Sequence, residues 1–236
     1  IVEAVKLDKT DPLCLGGQRL VAVKGEYGGN GTEYRTNPQT FARIVSYRNT
    51  GTADDGPEYF EVRTRDGLIH LYGYGDQDVI GPRRVGWPIV SIRDRQGNRI
   101  QYSYKTMKVP TGDSQNLPGV ETVMRKLERI NYGNFGAGFN SSWSDRRILF
   151  EYQDRPDDIE AYAHDVGRIV FERVSKIEMQ RWVGSTMHNG NYVDARSYEL
   201  GYKNDGATRL SKLDSIKQCG TSSADCLPKT TFSWQK

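Results

Sequence analysis

The stretch Trp87 to Tyr104, WPIVSIRDRQGNRIQYSY, decides the fold class. Its first arm, Ile89-Val90-Ser91-Ile92-Arg93, and its second, Arg99-Ile100-Gln101-Tyr102-Ser103-Tyr104, alternate apolar with polar residues at the strand period of two. Between them lies Asp94-Arg95-Gln96-Gly97-Asn98. Gly97 and Asn98 tolerate positive φ, and the Asp94 carboxylate can accept a hydrogen bond from the backbone two residues on. The expectation is a β-hairpin with a defined turn at Asp94, Gly97 and Asn98, one face wet and the other dry.

The same pattern recurs along the chain. Thr40 to Tyr47 pairs with Glu58 to Thr64, followed by Gly67 to Gly73, and Leu127 to Tyr132 is followed by Arg147 to Tyr152. Val174 to Trp182 pairs with Ala195 to Tyr202 across Met187-His188-Asn189-Gly190-Asn191, where Asn189-Gly190 signals a type I′ turn. No stretch has sustained helical periodicity. Met124 to Ile130 has some helical propensity, but Pro118-Gly119 precedes it and a strand-like Ile-Asn-Tyr closes it. The reading is an all-β antiparallel meander of hairpins, forming a curved sheet or sandwich, with residues 1–236 as one domain.

Only 36% of residues are hydrophobic and Tyr (14) is twice as common as Phe (7), which suits half-exposed strands rather than a deep two-faced core. The net charge of +3 arises from 33 basic and 30 acidic residues intermixed along the chain, so no basic stripe of the kind nucleic-acid binders show is visible in it. No segment has the length and apolarity of a membrane span, and no signal peptide is recognisable. The chain opens on Ile1-Val2-Glu3 with no initiator Met, which points to a piece of a longer protein.

Cys219 and Cys226 flank Gly-Thr-Ser-Ser-Ala-Asp, a loop able to bring two Cβ atoms to bonding distance. A disulfide is expected in an oxidising compartment, where closing the loop adds about 2–3 kcal/mol. In a cytosolic protein they would be two unpaired thiols, and a zinc site lacks a third ligand. Cys14 reads as a small buried thiol.

Catalytic signatures are missing from the sequence. His70 alternates with Ile69 and Leu71 on a strand, His164 lies in a polar loop from Asp157 to Gly167, and His188 neighbours a turn; none has metal-ligand spacing. The glycine cluster Gly25 to Gly31 lacks the Lys-Ser or Lys-Thr of a phosphate loop and reads as a connection between strands. Asp54-Asp55 and Asp154, Asp157, Asp158 read as solvated loop carboxylates rather than calcium ligands. No catalytic residue, cofactor or metal is assigned. Two alternatives to a structural role are a carbohydrate-binding sandwich stacking sugars on Trp87, Trp143 and Trp182, and a hydrolase with a hidden carboxylate pair.

Several phrases together carry a family resemblance: Asp11 to Val21 (DPLCLGGQRLV), Glu33-Tyr34-Arg35-Thr36 leading to Phe41-Ala42-Arg43-Ile44, Phe60 to Ile69 (FEVRTRDGLI), Asp94 to Asn98, and Phe150-Glu151-Tyr152 with Arg155-Pro156-Asp157. Cys219-Gly220 with Cys226 to Trp234 (CLPKTTFSW) completes the set. Over about Leu13 to Trp234 the chain resembles the N-terminal domain shared by the virulence-plasmid B proteins (SpvB) and the B subunits of insecticidal toxin complexes, relatives of the Rhs/YD-repeat toxins. The resemblance implies a non-catalytic β segment of a secreted, extracellular bacterial toxin-like protein. Such a segment helps form a shell around a separate toxic region, in company with a downstream propeller and YD-repeat shell of the same chain and a toxin translocation subunit.

Overall fold

The computed structural model describes residues 11–48, 56–75, 77–80, 83–108, 123–135, 143–163, 166–186, 188–204, 206, 210–222 and 224–234. Among the described residues there is no helix, and the fold is all-β and antiparallel. Two compact units are formed, the first by Ile1–Lys126 and Tyr162–Val166, the second by Leu127–Ala161 and Gly167–Lys236.

In the first unit β1 (Cys14–Leu15), β2 (Gln18–Lys24), β3 (Glu33–Asn37), β4 (Arg43–Tyr47), β5 (Tyr59–Arg63) and β6 (Ile69–Tyr72) pair in chain order. The small ladder of β7 (Asp78–Ile80) and β8 (Arg83–Gly86) stands apart, so β6 pairs next with β9 (Ile89–Arg93), which pairs with β10 (Arg99–Lys108). The register explains the core. Tyr34 lies opposite Ile44, Ile44 opposite Val62, Val62 opposite His70 and His70 opposite Ile92, and cross-strand partners share a face. Leu20, Tyr34, Ala42, Ile44, Phe60 and Val62 form the buried cluster on that face, with Leu13, Leu15, Ala22, Tyr72 and Trp87 packed against it. Burying side chains of this size contributes about 1.5–3 kcal/mol each.

Two turns of one design close hairpins in this unit. Gly97 N–H donates to Asp94 O and Asp94 N–H to Asn98 O, while Gly67 N–H donates to Thr64 O and Thr64 N–H to Leu68 O. Both glycines have positive φ, +90° at Gly97 and +87° at Gly67, a region that L side chains rarely adopt. Asn98 does not share that conformation; its N–H and Nδ2 donate instead to the two Asp94 carboxylate oxygens at 2.9 and 2.7 Å.

The second unit runs through β11 (Val123–Phe135), β12 (Ser144–Ala163), β13 (Val166–Thr186), β14 (Asn189–Asn204), β15 (Ser211–Cys219) and β16 (Thr230–Thr231). Met124 to Ile130 lies on β11, so its helical propensity is overruled by strand pairing. The segment from Asp154 to Ala163 belongs to β12 rather than to a loop, which corrects the expectation for the Asp157 to Gly167 stretch. Asn189-Gly190 is also not the reversal itself. Asn189 pairs with Thr186 and Gly190 with Gly184, placing both at the start of β14. The two glycines are needed because a Cβ on either would run into the backbone of the facing strand.

Candidate functional site

Across the strands the register builds arrangements invisible along the chain. On the face of the first unit opposite the buried cluster, Arg43 lies opposite Arg63, Arg63 opposite Ile69, Ile69 opposite Arg93, and Arg93 opposite Arg99. The intermixed charges of the sequence therefore do assemble an arginine row, a feature the linear reading missed. Glu33 and Glu61 lie on the same face and neutralise part of it. Glu33 pairs with Arg35 at 2.9 Å and Arg43 at 3.2 Å, and Glu61 with Arg63 at 2.7 Å and Arg93 at 4.0 Å. Burial pushes the Glu33 carboxyl up, but its bonds to Arg35 and Arg43 outweigh this and hold it below the usual range.

The glycine loop between β2 and β3 spends its amides internally. Gly28 N–H donates to Tyr34 Oη at 2.8 Å, Gly29 N–H to Glu26 O at 2.9 Å and Gly31 N–H to Ser46 O at 2.8 Å. Amides already bonded within the protein do not form a phosphate cradle, in keeping with the strand connection expected from the sequence.

His70 sits half-buried on β6, stacked on Tyr72 with ring centroids 6.3 Å apart. Burial depresses its titration, against the opposing pull of Asp66. His188 is exposed at the turn before β14, and His164 lies outside the described residues. The first unit holds His70 and the second His188.

In the second unit two polar networks stitch strands together. Arg147 Nε donates to Gln180 Oε1 at 2.7 Å, and Gln180 Nε2 donates to Asp194 Oδ1 at 2.8 Å, linking β12, β13 and β14. The Arg147 guanidinium also lies 3.6 Å over the Tyr192 ring. Further along, the Asp157 carboxylate takes Arg155 Nη2 at 3.0 Å, the Ser211 N–H at 2.6 Å and the Ser211 hydroxyl. Arg173 bonds that same hydroxyl and lies 4.3 Å over the Tyr202 ring. The bonds from Arg155 and Ser211 hold the Asp157 carboxyl far below the usual range. Asp157 is thus a fastened strand residue and not a solvated loop carboxylate. Sequence reasoning could not find either network, since their partners stand 33 and 54 residues apart.

Among the described residues no group of three or more His, Cys, Asp or Glu converges as a metal site, and Asp54 and Asp55 lie outside them. Among the described residues the carboxyls whose titration is displaced, Glu33, Asp66, Asp94 and Asp157, all move down, whereas a general acid needs one moved up. The three tryptophans weighed for sugar stacking are half-buried and packed edge to face. Trp87 meets Phe60 at 88°, Trp143 meets Trp182 at 85° and Trp182 meets Tyr192 at 73°, so they offer no coplanar platform.

A disulfide joins Cys219 to Cys226, which also form a β-bridge across their loop. Cys14 is exposed on β1, a correction to the buried thiol expected. Its partner in the register is Arg19, and Leu13 and Leu15 on either side of it pack on the core instead, so strand alternation turns Cys14 outward.

The family model described as "SpvB: Salmonella virulence plasmid 65kDa B protein" matches residues 29–167. The chain belongs to the SpvB family. The SpvB-family fold is seen again in solved structures. The N-terminal domain of effector protein SpvB from Salmonella typhimurium strain LT2 superposes with a TM-score of 0.72 at 15% identity, covering 93% of this chain and 84% of that one. The crystal structure of TcdB2-TccC3-Cdc42 gives 0.71 at 16% identity over 99% of this chain, and that of TcdB2-TccC3 without its hypervariable C-terminal region 0.69 at 16% over 98%. The chain spans 13% of the length of those TcdB2-TccC3 chains. At these identities the likeness is one of fold. No curated protein matches the chain. Among the described residues no helix is long and apolar enough to cross a membrane.

Proposed function

We propose that residues 1–236 act as one non-catalytic scaffold segment of a secreted toxin-like protein, contributing to a β-shell that encloses or delivers a separate toxic region. The observation that carries this reading is the match of nearly the whole chain to a small part of a much longer polypeptide, in a family named for a virulence protein. The interior supports it as well. Its ionic groups tie one strand to another, Arg43 to Glu33, Arg93 to Glu61 and Arg147 through Gln180 to Asp194, an arrangement that stiffens a sheet. The partners on this reading are the downstream propeller and YD-repeat shell of the same chain and a translocation subunit.

The test is protease protection. In the complete polypeptide, the toxic region should survive limited proteolysis, and removal of residues 1–236 should expose it. Equal survival with and without this segment would reject the scaffold role. A parallel screen of the purified segment against glycosidase, NAD-dependent transferase and nuclease substrates should find no turnover; activity abolished by replacing a single carboxylate would make the chain an enzyme.

A further inference from the structure

Phe41 stands apart among the described residues of the first unit. Its backbone has φ +61°, and it is the one non-glycine residue with positive φ among those described. For a bulky aromatic residue that conformation persists only where the surroundings impose it. The imposing groups are visible: Thr40 N–H donates to Thr36 Oγ1 at 2.9 Å, and the two threonine hydroxyls lie 2.8 Å apart, bracing the loop between β3 and β4. The twist sends Ala42 into the core and leaves the Phe41 side chain 62% exposed.

One guanidinium group lies over the ring. Arg65, from the turn between β5 and β6, lies 5.2 Å over its centroid. Arg43, two residues on, lies opposite Arg63, and both side chains are 52% exposed. The glutamates that engage them, Glu33 and Glu61, lie deeper, at 18% and 13% exposure. Arg95, from the turn between β9 and β10, lies against Gly67 in the neighbouring turn. The carboxylates of these two turns are occupied in closing them, Asp66 by the Thr64 hydroxyl and Leu68 N–H, and Asp94 by Asn98. What faces outward is thus an apolar ring covered on one side by Arg65, with Arg43 two residues on and Arg63 opposite it in the register.

We propose that Phe41, with Arg65 and the neighbouring Arg43 and Arg63, forms a docking surface for an acidic segment of the same polypeptide outside residues 1–236, whose apolar pocket receives the ring and whose carboxylates pair with the arginines. Aromatic and arginine side chains dominate the energetics of protein interfaces, and a ring held in place before contact loses little freedom on docking. Guanidinium forks match carboxylates in bidentate geometry. This inference rests on the scaffold reading, for which it names the surface that meets the next segment of the shell.

The experiment places a photo-crosslinking benzoylphenylalanine at position 41 of the complete polypeptide, with position 23, an exposed valine on β2, as control. Expected is a crosslink to a segment of the same polypeptide outside residues 1–236 whose sequence around the adduct carries two or more Asp or Glu, and a crosslink to a separate subunit instead would overturn the proposal. A crosslink confined to residues 1–236, one to a segment without acids, one to nucleic acid, or a yield no higher than at position 23 would overturn the proposal. A second arm uses Phe41→Gly, which suits the positive φ. Its thermal midpoint should equal or exceed that of the wild type, while amide exchange at residues 64–68 of the complete polypeptide rises about 30-fold, the loss of one interface hot spot. Unchanged exchange there would equally reject the docking role. If the toxic region stays protected from protease while position 41 fails both arms, this surface is wrong and the scaffold reading stands.

Discussion

The Tyr34 hydroxyl lies 3.2 Å from Ser46 Oγ, with both side chains wholly removed from solvent. Direction can be assigned to this contact. Ser46 Oγ donates its one hydrogen to Gly29 O at 2.6 Å, so Tyr34 must donate to Ser46, while Tyr34 accepts from Gly28 N–H at 2.8 Å. A chain of donors therefore leaves the glycine loop at residue 28, crosses β3 and β4, and returns to the loop at residue 29. Each bond polarises the next, and none of the groups has water to fall back on.

Tyr34→Phe removes the middle of that chain and leaves Gly28 N–H without its acceptor. A loss of about 1–3 kcal/mol is expected, which in a chain of this size lowers the thermal midpoint by roughly 2–4 °C per kcal/mol. Ser46→Ala should cost a similar amount, and the double variant less than the two together, since both break one network. Strict additivity in calorimetry would show that the two residues act independently.

Gly97→Val should destabilise the protein by about 1–2 kcal/mol, the cost of forcing a side chain into the left-handed region, while the exposed Gln96→Ala stays within about 0.5 kcal/mol of wild type. Denaturant midpoints of the two variants measure the difference. Equal midpoints would mean that the turn relaxes without cost.

Acid should loosen the second unit through Asp157. Its carboxyl is held below its ordinary 3.8 in the folded protein, so the folded state binds its proton less readily than the unfolded chain does. The stability this adds is present in full above the unfolded value and drains away as pH falls through and below it. Asp157→Asn should therefore melt below wild type at pH 7, with the gap narrowing progressively below about pH 4. A gap that is constant from pH 7 to pH 3 would remove the ionised carboxylate from the explanation.

Thiol chemistry distinguishes the three cysteines. With Cys219 and Cys226 joined, alkylation of the native protein should modify Cys14 alone, and alkylation after unfolding without reductant should add no further site. All three should react only once the unfolded chain is reduced. Three labelled sites before reduction would reject the pairing, and a native protein that resists labelling would bury Cys14 after all.

Local pattern was legible where strand and turn chemistry agree. The hairpin of Trp87 to Tyr104 pairs Ile92 with Ile100 and Ser91 with Gln101, as its alternation demands. Val174 to Trp182 also finds Ala195 to Tyr202, with Lys176 opposite Glu199. Asn189-Gly190 misled because glycine serves two ends, turning a chain or letting two backbones approach, and only the facing Gly184 tells which. The stretch from Asp154 to Ala163 misled because hydrogen bonds to a neighbouring strand hold it extended whatever its polarity, and the partner of Asp157 comes from β15. The arginine row and the exposed Phe41 were beyond reach for the same reason: both are products of register and of one backbone angle, and neither has a signature in residue order.

The meander order also governs how these units are made. In each one the long ladders join strands that follow one another along the chain, and the single skip, from β6 to β9, passes over one small hairpin. Such a topology has low contact order for a β protein, so each new strand finds a template already laid down beside it and closes only a short loop to reach it. A polypeptide that emerges gradually, whether from a ribosome or from a narrow export channel, can assemble this sheet strand by strand in the direction of emergence, without waiting for its distant end.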